Sequence, residues 1–383
     1  MIAEALLSRN AVYESFFETE AARLAAVCRC MAERFRSGGR LLAFGRGAYA
    51  TDAQHVSVEF IHPVIVGKRA LPAMDLSPML DTAVETLMRP EDIVMGFGPP
   101  EGDELVTSVL RKARTIGAMT FALPGCDADY SVATFSPDPF LHQEMIEILY
   151  HTLWETVHVH LERNELVSEA GAAGFLYPFL GGDSAPAADP TAEVADSIRM
   201  KVKDDAALRE RVASEESEHI QAACRAIAAQ IRLGGKLLLF GNGGSATDAN
   251  DWAYDCVRPP AGMRPIPAIS LSSEPAVLTA IANDVGMEAV FLRQLIAHAR
   301  PHDVVVGIST SGGSRNIIAA LEEARRRGLI TVALLGYDGG EVVRRQLVDF
   351  PIVVRCDYIP RIQEVQASIY HAMREAVEVA LRD

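Results

Sequence analysis

Short apolar runs alternate with helix-length mixed stretches along this chain. In its C-terminal half the runs lie near Lys236–Phe240, Ile266–Ser270, Val304–Ile308, Ile330–Leu335 and Ile352–Arg355. Each is a near-continuous stretch of Val, Ile and Leu, the pattern of a strand covered on both faces. Strand runs that alternate with helical patterns predict a parallel sheet with helices on both sides, an α/β fold. Two longer stretches, Ala11 to Arg36 and about Asp204 to Arg232, mix apolar and charged residues at spacings that predict amphipathic packing helices.

The pattern occurs twice. RLLAFGRGAYATDAQHVSVEF from Arg40 aligns with KLLLFGNGGSATDANDWAYDC from Lys236, 196 positions later. LPAMDLS (Leu71) pairs with IPAISLS (Ile266), PEDIVMGFG (Pro90) with PHDVVVGIS (Pro301), and QEMIEILYH (Gln143) with QEVQASIYH (Gln363). The chain therefore reads as two diverged copies of one domain, the first shorter by about two dozen positions, part of them where the second has LTAIANDVGMEAVFLRQL. The expected division is a first domain over 1–164, a linker over 165–197 rich in Gly, Ala, Pro and Asp, and a second domain over 198–383. The linker carries a short apolar stretch, Phe175 to Leu180, that suits an anchor.

Two strand ends in the second copy carry candidate chemistry. LLLFGNGGSATDAND, Leu237 to Asp251, runs from a strand through a glycine-rich turn into a helix, which points backbone N–H groups and a helix N-terminus at one spot. Asn242 and Ser245 add side-chain donors, and Gly243 and Gly244 let the backbone approach a ligand. DVVVGISTSGGSRNIIAAL, Asp303 to Leu321, repeats the arrangement with hydroxyls. Two such turns can hold a phosphate between them.

With GNGGSATDAN, STSGGS, LTAIAND, ALLGYDGG and PRIQE in this order, the C-terminal half resembles the SIS (sugar isomerase) domain, and within it the phosphoheptose isomerase group. The resemblance implies two tandem SIS domains, each a five-stranded, doubly wound, flavodoxin-like parallel sheet. It implies a phosphorylated sugar held by Asn242, Gly243, Gly244, Ser245, Ser309, Thr310, Ser311 and Ser314, with Asp284 and Gln363 orienting it. The implied reaction is aldose–ketose isomerisation, sedoheptulose 7-phosphate to a heptose 7-phosphate, with Asp255 as base and His371 as acid. Asp255 stands where the family has Glu, one methylene longer, and Pro360 stands where it has Asp. A sugar-phosphate-binding or regulatory protein without catalysis is the alternative.

In the first copy His55 and Glu59, four apart on one helix, and Gln143 and His151, eight apart on another, offer nitrogen and oxygen donors suited to a divalent ion. These four occupy the metal-ligand positions that the resemblance implies, with zinc the expected ion. Asp251, Asp255, Gln363 and His371 fill the same positions in the second copy, a harder and weaker set. A composite site using both copies is a further expectation. The phosphate loops diverge in the opposite sense. GPPEGD (Gly98 to Asp103) replaces STSGGS, which removes two N–H groups at Pro99 and Pro100 and adds the anions Glu101 and Asp103. Arg46 and Tyr49 replace Asn242 and Ser245, so the first copy is not expected to bind a sugar phosphate in this manner.

Composition narrows the partners. Over 383 residues the formal net charge is −15, which argues against nucleic acid or an anionic membrane and leaves local dipoles to hold an anionic substrate. No apolar stretch reaches membrane-spanning length, and the N-terminal MIAEALLSRNAVYESFF is not expected to be a signal peptide. The six cysteines form no CxxC pair and read as core thiols of a cytoplasmic protein. No nucleotide cofactor is expected. The leading helices suggest an internal pseudo-dimer and a homodimer of chains, a pseudo-tetramer.

Overall fold

In a computed structural model, residues 1–65, 68–80, 86–163 and 191–382 are described. The Phe175–Leu180 stretch lies outside them. The chain divides into two compact units, one of residues 11–204 and one of residues 1–10 with 205–383. The strands are β1 (Leu41–Phe44), β2 (Ala73–Asp75), β3 (Ile93–Phe97), β4 (Met119–Leu123) and β5 (Tyr130–Ser131) in the first unit. The second unit has β6 (Leu237–Phe240), β7 (Ala268–Ser270), β8 (Val304–Ser309), β9 (Ile330–Gly336) and β10 (Phe350–Val354). Every pairing is parallel. The sheet orders are β2-β1-β3-β4-β5 and β10-β9-β8-β6-β7, the same topology twice. The fold is α/β, two five-stranded doubly wound sheets. In each, the strand order reverses beside the first strand, where open α/β sheets place their ligands.

The central strands are apolar because both faces are covered. All six residues of β8, VVVGIS, are buried. One face of the second sheet packs Leu237, Leu239, Val304, Val306 and Ile308 against Trp252, Ile362 and Ile369 of flanking helices. The other face packs Leu238, Phe240 and Val305 against Phe291, Ile317 and Leu321.

The leading helices differ from the sequence reading in three places. The first runs Ile2–Arg36 rather than from Ala11, and Ile2 and Leu6 are buried in the core of the 205–383 unit. Residues 191–197, read as the end of the linker, are helical within Thr191–Glu215. Glu216 then separates that helix from Ser217–Arg232, so the span from Asp204 is two helices. The thiols also divide: Cys28, Cys224 and Cys256 are buried, while Cys30 and Cys126 are exposed. No described helix is long and apolar enough to cross a membrane.

One ion pair recurs at the amino end of each sheet. Asp92, 1% exposed, accepts from the Arg40 backbone N–H at 3.1 Å and its guanidinium at 2.7 Å, and from Arg89 N–H at 3.0 Å. Asp303 accepts from Lys236 N–H at 3.0 Å, Lys236 Nζ at 2.5 Å and Arg300 N–H at 2.8 Å. Each carboxylate thereby ties the first strand to the turn before the third. Removing it leaves the partly buried Lys236 ammonium and two backbone N–H groups without their acceptor, so at about 1–3 kcal/mol for each unsatisfied group Asp303→Ala should cost about 3–5 kcal/mol. Chemical denaturation followed by circular dichroism checks this, with Arg345→Ala on the surface as the neutral control.

Candidate functional site

The carboxyl edge of the 205–383 sheet gathers three loops. After β6 the chain turns through Gly241, Asn242 and Gly243 into the helix Gly244–Val257. A Cβ on Gly241 would lie 2.1 Å from the Ser245 carbonyl oxygen, so no other residue fits that turn. The Ser272 hydroxyl closes it, accepting from Gly241 N–H and donating to Gly241 O, both at 3.1 Å. Gly243 precedes the helix at φ 56° and brings no capping side chain, which keeps the helix N-terminus open to a ligand. Ser245 lies in the first turn and is buried.

β8 ends at Ser309, and Thr310 to Ser314 lead into the helix Arg315–Arg326. Ser314 stands at the N-cap without a side-chain cap bond, so a second helix N-terminus is open. The Ser309 and Ser311 hydroxyls accept from Gly312 N–H at 3.1 Å and Gly313 N–H at 3.2 Å, which braces the loop and leaves each hydroxyl proton for a ligand. A Cβ on Gly312 would lie 2.2 Å from Gly339 O, and one on Gly340 2.3 Å from Ser311 O. The loop after β9, Tyr337 to Gly340, therefore rests backbone to backbone on the serine loop.

Asn242 has a bonding role within the protein as well as its place in the glycine turn. Its amide exchanges two hydrogen bonds with Asn316, 3.0 and 2.8 Å, and Asn316 Oδ1 also accepts from Ile317 N–H. This amide pair fixes the two helix N-termini side by side. Asn316 and Ser272 were missed by the sequence reading. The repeat held a signal for Ser272, since its counterpart Ser77 likewise donates shape to its loop, accepting from Gly45 N–H at 3.1 Å. Asp284 is exposed at the end of the helix Pro275–Asp284 and accepts from Asn283. That helix buries none of its residues. The structure thus joins Asn242, Gly243, Gly244, Ser245, Ser309, Thr310, Ser311 and Ser314 in one place and gives Asp284 no buried position beside them.

The first unit fills the corresponding place with its own atoms. Asp103 caps the helix Glu104–Ile116, accepting from Leu105 N–H at 2.8 Å and Val106 N–H at 3.1 Å, and pairs with Arg46 at 3.1 Å. His142 accepts from Phe135 N–H, which leaves its Nε2–H to donate to Gly98 O at 3.1 Å. Burial holds this imidazole's pKa down to about 4, so it stays neutral. Asp103 thus does more than repel an incoming phosphate: its carboxylate already sits on the helix donors and on Arg46.

Further along the helix Gly244–Val257, Asp251 and Asp255 face His371 of the helix Ile359–Arg382, with all three buried. His371 Nε2 lies 3.6 Å from Asp251 Oδ2 and 3.3 Å from Asp255 Oδ2. Tyr370, stacked on Trp252, donates its hydroxyl to Asp251 at 2.8 Å. Burial and the neighbouring Asp251 raise the Asp255 carboxyl to about 7, against the pull of His371. Gln363 is buried two turns earlier on the same helix as His371, and Pro360 sits in that helix's first turn, where its missing N–H costs nothing.

In the first unit His55, Glu59 and His151 are buried with ligand atoms within 4.8 Å of one another, as are those of Asp251, Asp255 and His371 in the second. His55 Nε2 is 3.8 Å from Glu59 Oε1. Burial, then the charge of His151, lowers the His55 pKa. His55, Glu59 and His151 thus converge, and Gln143, the fourth expected ligand, donates its amide N–H to Asp52 Oδ2 at 3.0 Å.

Comparison with known proteins follows this geometry. The family model for the SIS domain matches residues 202–336. The phosphoheptose isomerase of Geotalea daltonii is 42% identical over 187 residues, covering 49% of this chain and 96% of that protein. That of Solidesulfovibrio magneticus is 44% identical over 182 residues, covering 47% of this chain and 88% of its own. The chain belongs to the SIS-domain family. A tagatose-6-phosphate ketose/aldose isomerase structure from Escherichia coli covers all of this chain and 94% of its own, with TM-score 0.59 at 12% identity, a likeness of fold. As a SIS protein the chain is a member of a phosphosugar isomerase and binding family, and its open loops are those of the 205–383 unit.

Asp255 gives this unit a pH signature. An acid raised from about 3.9 unfolded to about 7 folded binds more protons when folded, so stability falls as pH rises through that window. In chelator-treated protein, Asp255→Asn should therefore raise Tm relative to wild type above pH 7, with the gain shrinking toward pH 4. Thermal denaturation across that range is the measurement, and a constant difference would contradict it.

Proposed function

We propose that the 205–383 unit is the working site of a phosphosugar aldose–ketose isomerase of the phosphoheptose isomerase type. The observation that carries this reading is the pair of uncapped helix N-termini locked together by Asn242 and Asn316, with a buried acid–imidazole cluster on one of the same helices. Asp251 lies about 10 Å and Asp255 about 16 Å along that helix from Gly244, on the scale of an extended seven-carbon sugar phosphate. Gly243, Gly244, Ser245 and the hydroxyls of Ser309, Thr310, Ser311 and Ser314 hold the phosphate, and Gln363 and Asp284 orient the sugar.

For sedoheptulose 7-phosphate, Asp255 takes a proton from the carbon beside the carbonyl and His371 delivers one to the carbonyl oxygen, giving an enediol. Return of a proton to the former carbonyl carbon, with loss of one from the neighbouring hydroxyl, gives the aldose without net change of atoms. An acid near pKa 7 is matched to such transfer at neutral pH. The buried nitrogen and oxygen donors of His55, Glu59 and His151 fit a divalent ion such as zinc, and Asp251, Asp255 and His371 form a more oxygen-rich set. Held by Asp251, Asp255 and His371, such an ion would supply Lewis-acid polarisation of the carbonyl.

Burial favours a second reading. Asp251, Asp255 and His371 are at most 4% exposed, and Asp251 is already held by Tyr370, which suits a protein that binds phosphosugars without turning them over.

Ser309→Ala or Ser311→Ala should weaken phosphosugar binding by about 1.5–3 kcal/mol, the scale of one hydrogen bond to a charged group. Titration calorimetry with sedoheptulose 7-phosphate reads that loss. Asp255→Asn should abolish isomerisation, followed by exchange of solvent deuterium into the sugar, and leave affinity nearly unchanged. Affinity without exchange in the wild type, with zinc or manganese supplied, selects the binding protein.

A further inference from the structure

The two copies also differ at the opposite, amino edge of the sheet. In the first, the Arg34 guanidinium donates to the carbonyls of Pro90 and Gly117 and bridges them. Pro90 packs on Gly117, where a Cβ would lie 3.6 Å from the Pro90 Cβ. The cleft is closed. In the second copy the aligned residue is Gln230, with Pro301 and Gly328 in the places of Pro90 and Gly117. The register is secure because Gly39 and Gly235 make the same contacts, with Glu91 O and Arg34 O in one copy and His302 O and Gln230 O in the other. Gln230 is too short to bridge, and its Oε1 accepts instead from His302 Nδ1–H at 3.3 Å. A Cβ on Gly328 would meet nothing within 4 Å. A cavity of about 470 Å³ occupies the cleft, lined by Gln230, Arg300, Pro301, His302, Arg327 and Gly328 among others.

The turn above this cavity has changed character. Both turns close with the same hydrogen bond, Asp92 N–H to Arg89 O and Asp303 N–H to Arg300 O. His302, however, has φ 72°, a left-handed conformation that Glu91 does not share. A positive φ at the third turn position marks a type II turn, whose central peptide is flipped relative to type I. The flip turns the Pro301 carbonyl away from where Pro90 O meets Arg34 and brings the His302 N–H toward that side. An acceptor becomes a donor. A non-glycine residue in this conformation is strained, and such strain gathers at ligand clamps. The Arg300 side chain has no partner among the described residues, and Arg327 is held in place by Glu323 at 2.6 Å. The buried Asp303 carboxylate is neutralised by Lys236.

We propose that this cavity is a second ligand site, separate from the glycine loops, for a small anion carrying a phosphate or carboxylate. The His302 N–H and the Arg300 guanidinium bind the anionic group, Arg327 adds charge, and Gln230 contacts the remainder. In the first copy the Arg34 guanidinium occupies the corresponding place.

Calorimetric titration with inorganic phosphate tests this, using the whole chain. Wild type should take up phosphate at two places per chain, the glycine loops and this cavity. Gln230→Glu, which puts a carboxylate among the cavity's lining residues, should remove the cavity component and spare the loop component. Arg300→Ala should weaken the cavity component about tenfold, one charge-assisted hydrogen bond. His302→Gly, which keeps the N–H and relieves the strain, should retain it. Ser309→Ala with Ser311→Ala should reduce only the other component, so failure of either site is distinguishable. Citrate in place of phosphate asks whether a carboxylate suffices, and the same Gln230→Glu sensitivity is expected. An isotherm that neither Gln230→Glu nor Arg300→Ala changes overturns the proposal.

Discussion

The site of the 205–383 unit depends on one contact in which backbone touches backbone. The serine loop after β8 and the loop after β9 approach so closely that Gly312 and Gly340 each face a carbonyl oxygen of the other loop. With that approach, the serine hydroxyls turn inward to brace their own N–H groups, and the helix Arg315–Arg326 starts where Asn316 can reach Asn242. The amide pair then sets the position of the second open helix. A methyl at either glycine would separate the loops and undo the chain of consequences.

The same fold without this contact is visible in the first unit. Its loop Gly98–Asp103 contains two prolines, and its helix is capped by Asp103. The difference between the two units is therefore one of who supplies the anion. In one the chain's own carboxylate satisfies the helix and Arg46. In the other the helix ends are left for something else.

Much of this was legible because the chain repeats itself. Buried parallel strands read as continuous Val, Ile and Leu runs, and internal alignment located the glycine turns and the buried residues His55, Glu59, His151, Asp251, Asp255 and His371. What stayed hidden were contacts made across long sequence distances. Asn316 lies 74 residues from Asn242, Tyr370 lies 119 from Asp251, and Gln143 meets Asp52 from 91 away. A spacing rule sees one element at a time and has no access to such pairs. The break at Glu216 escaped because amphipathic pattern continues across it, and the left-handed turn at His302 because its sequence, RPHD, differs from RPED by one side chain.

The carboxylate of Asp103 is in effect a tethered ligand. Held on the helix donors by its own backbone, it acts at an effective concentration that a free metabolite does not match, since a short link makes binding intramolecular. A dissolved phosphate stabilises only the state that binds it, by an amount that grows with its concentration. The first unit carries its stabilisation permanently and is indifferent to supply. A ligand that fills the open helix ends of the second would add to the stability of that unit and leave the first as a constant.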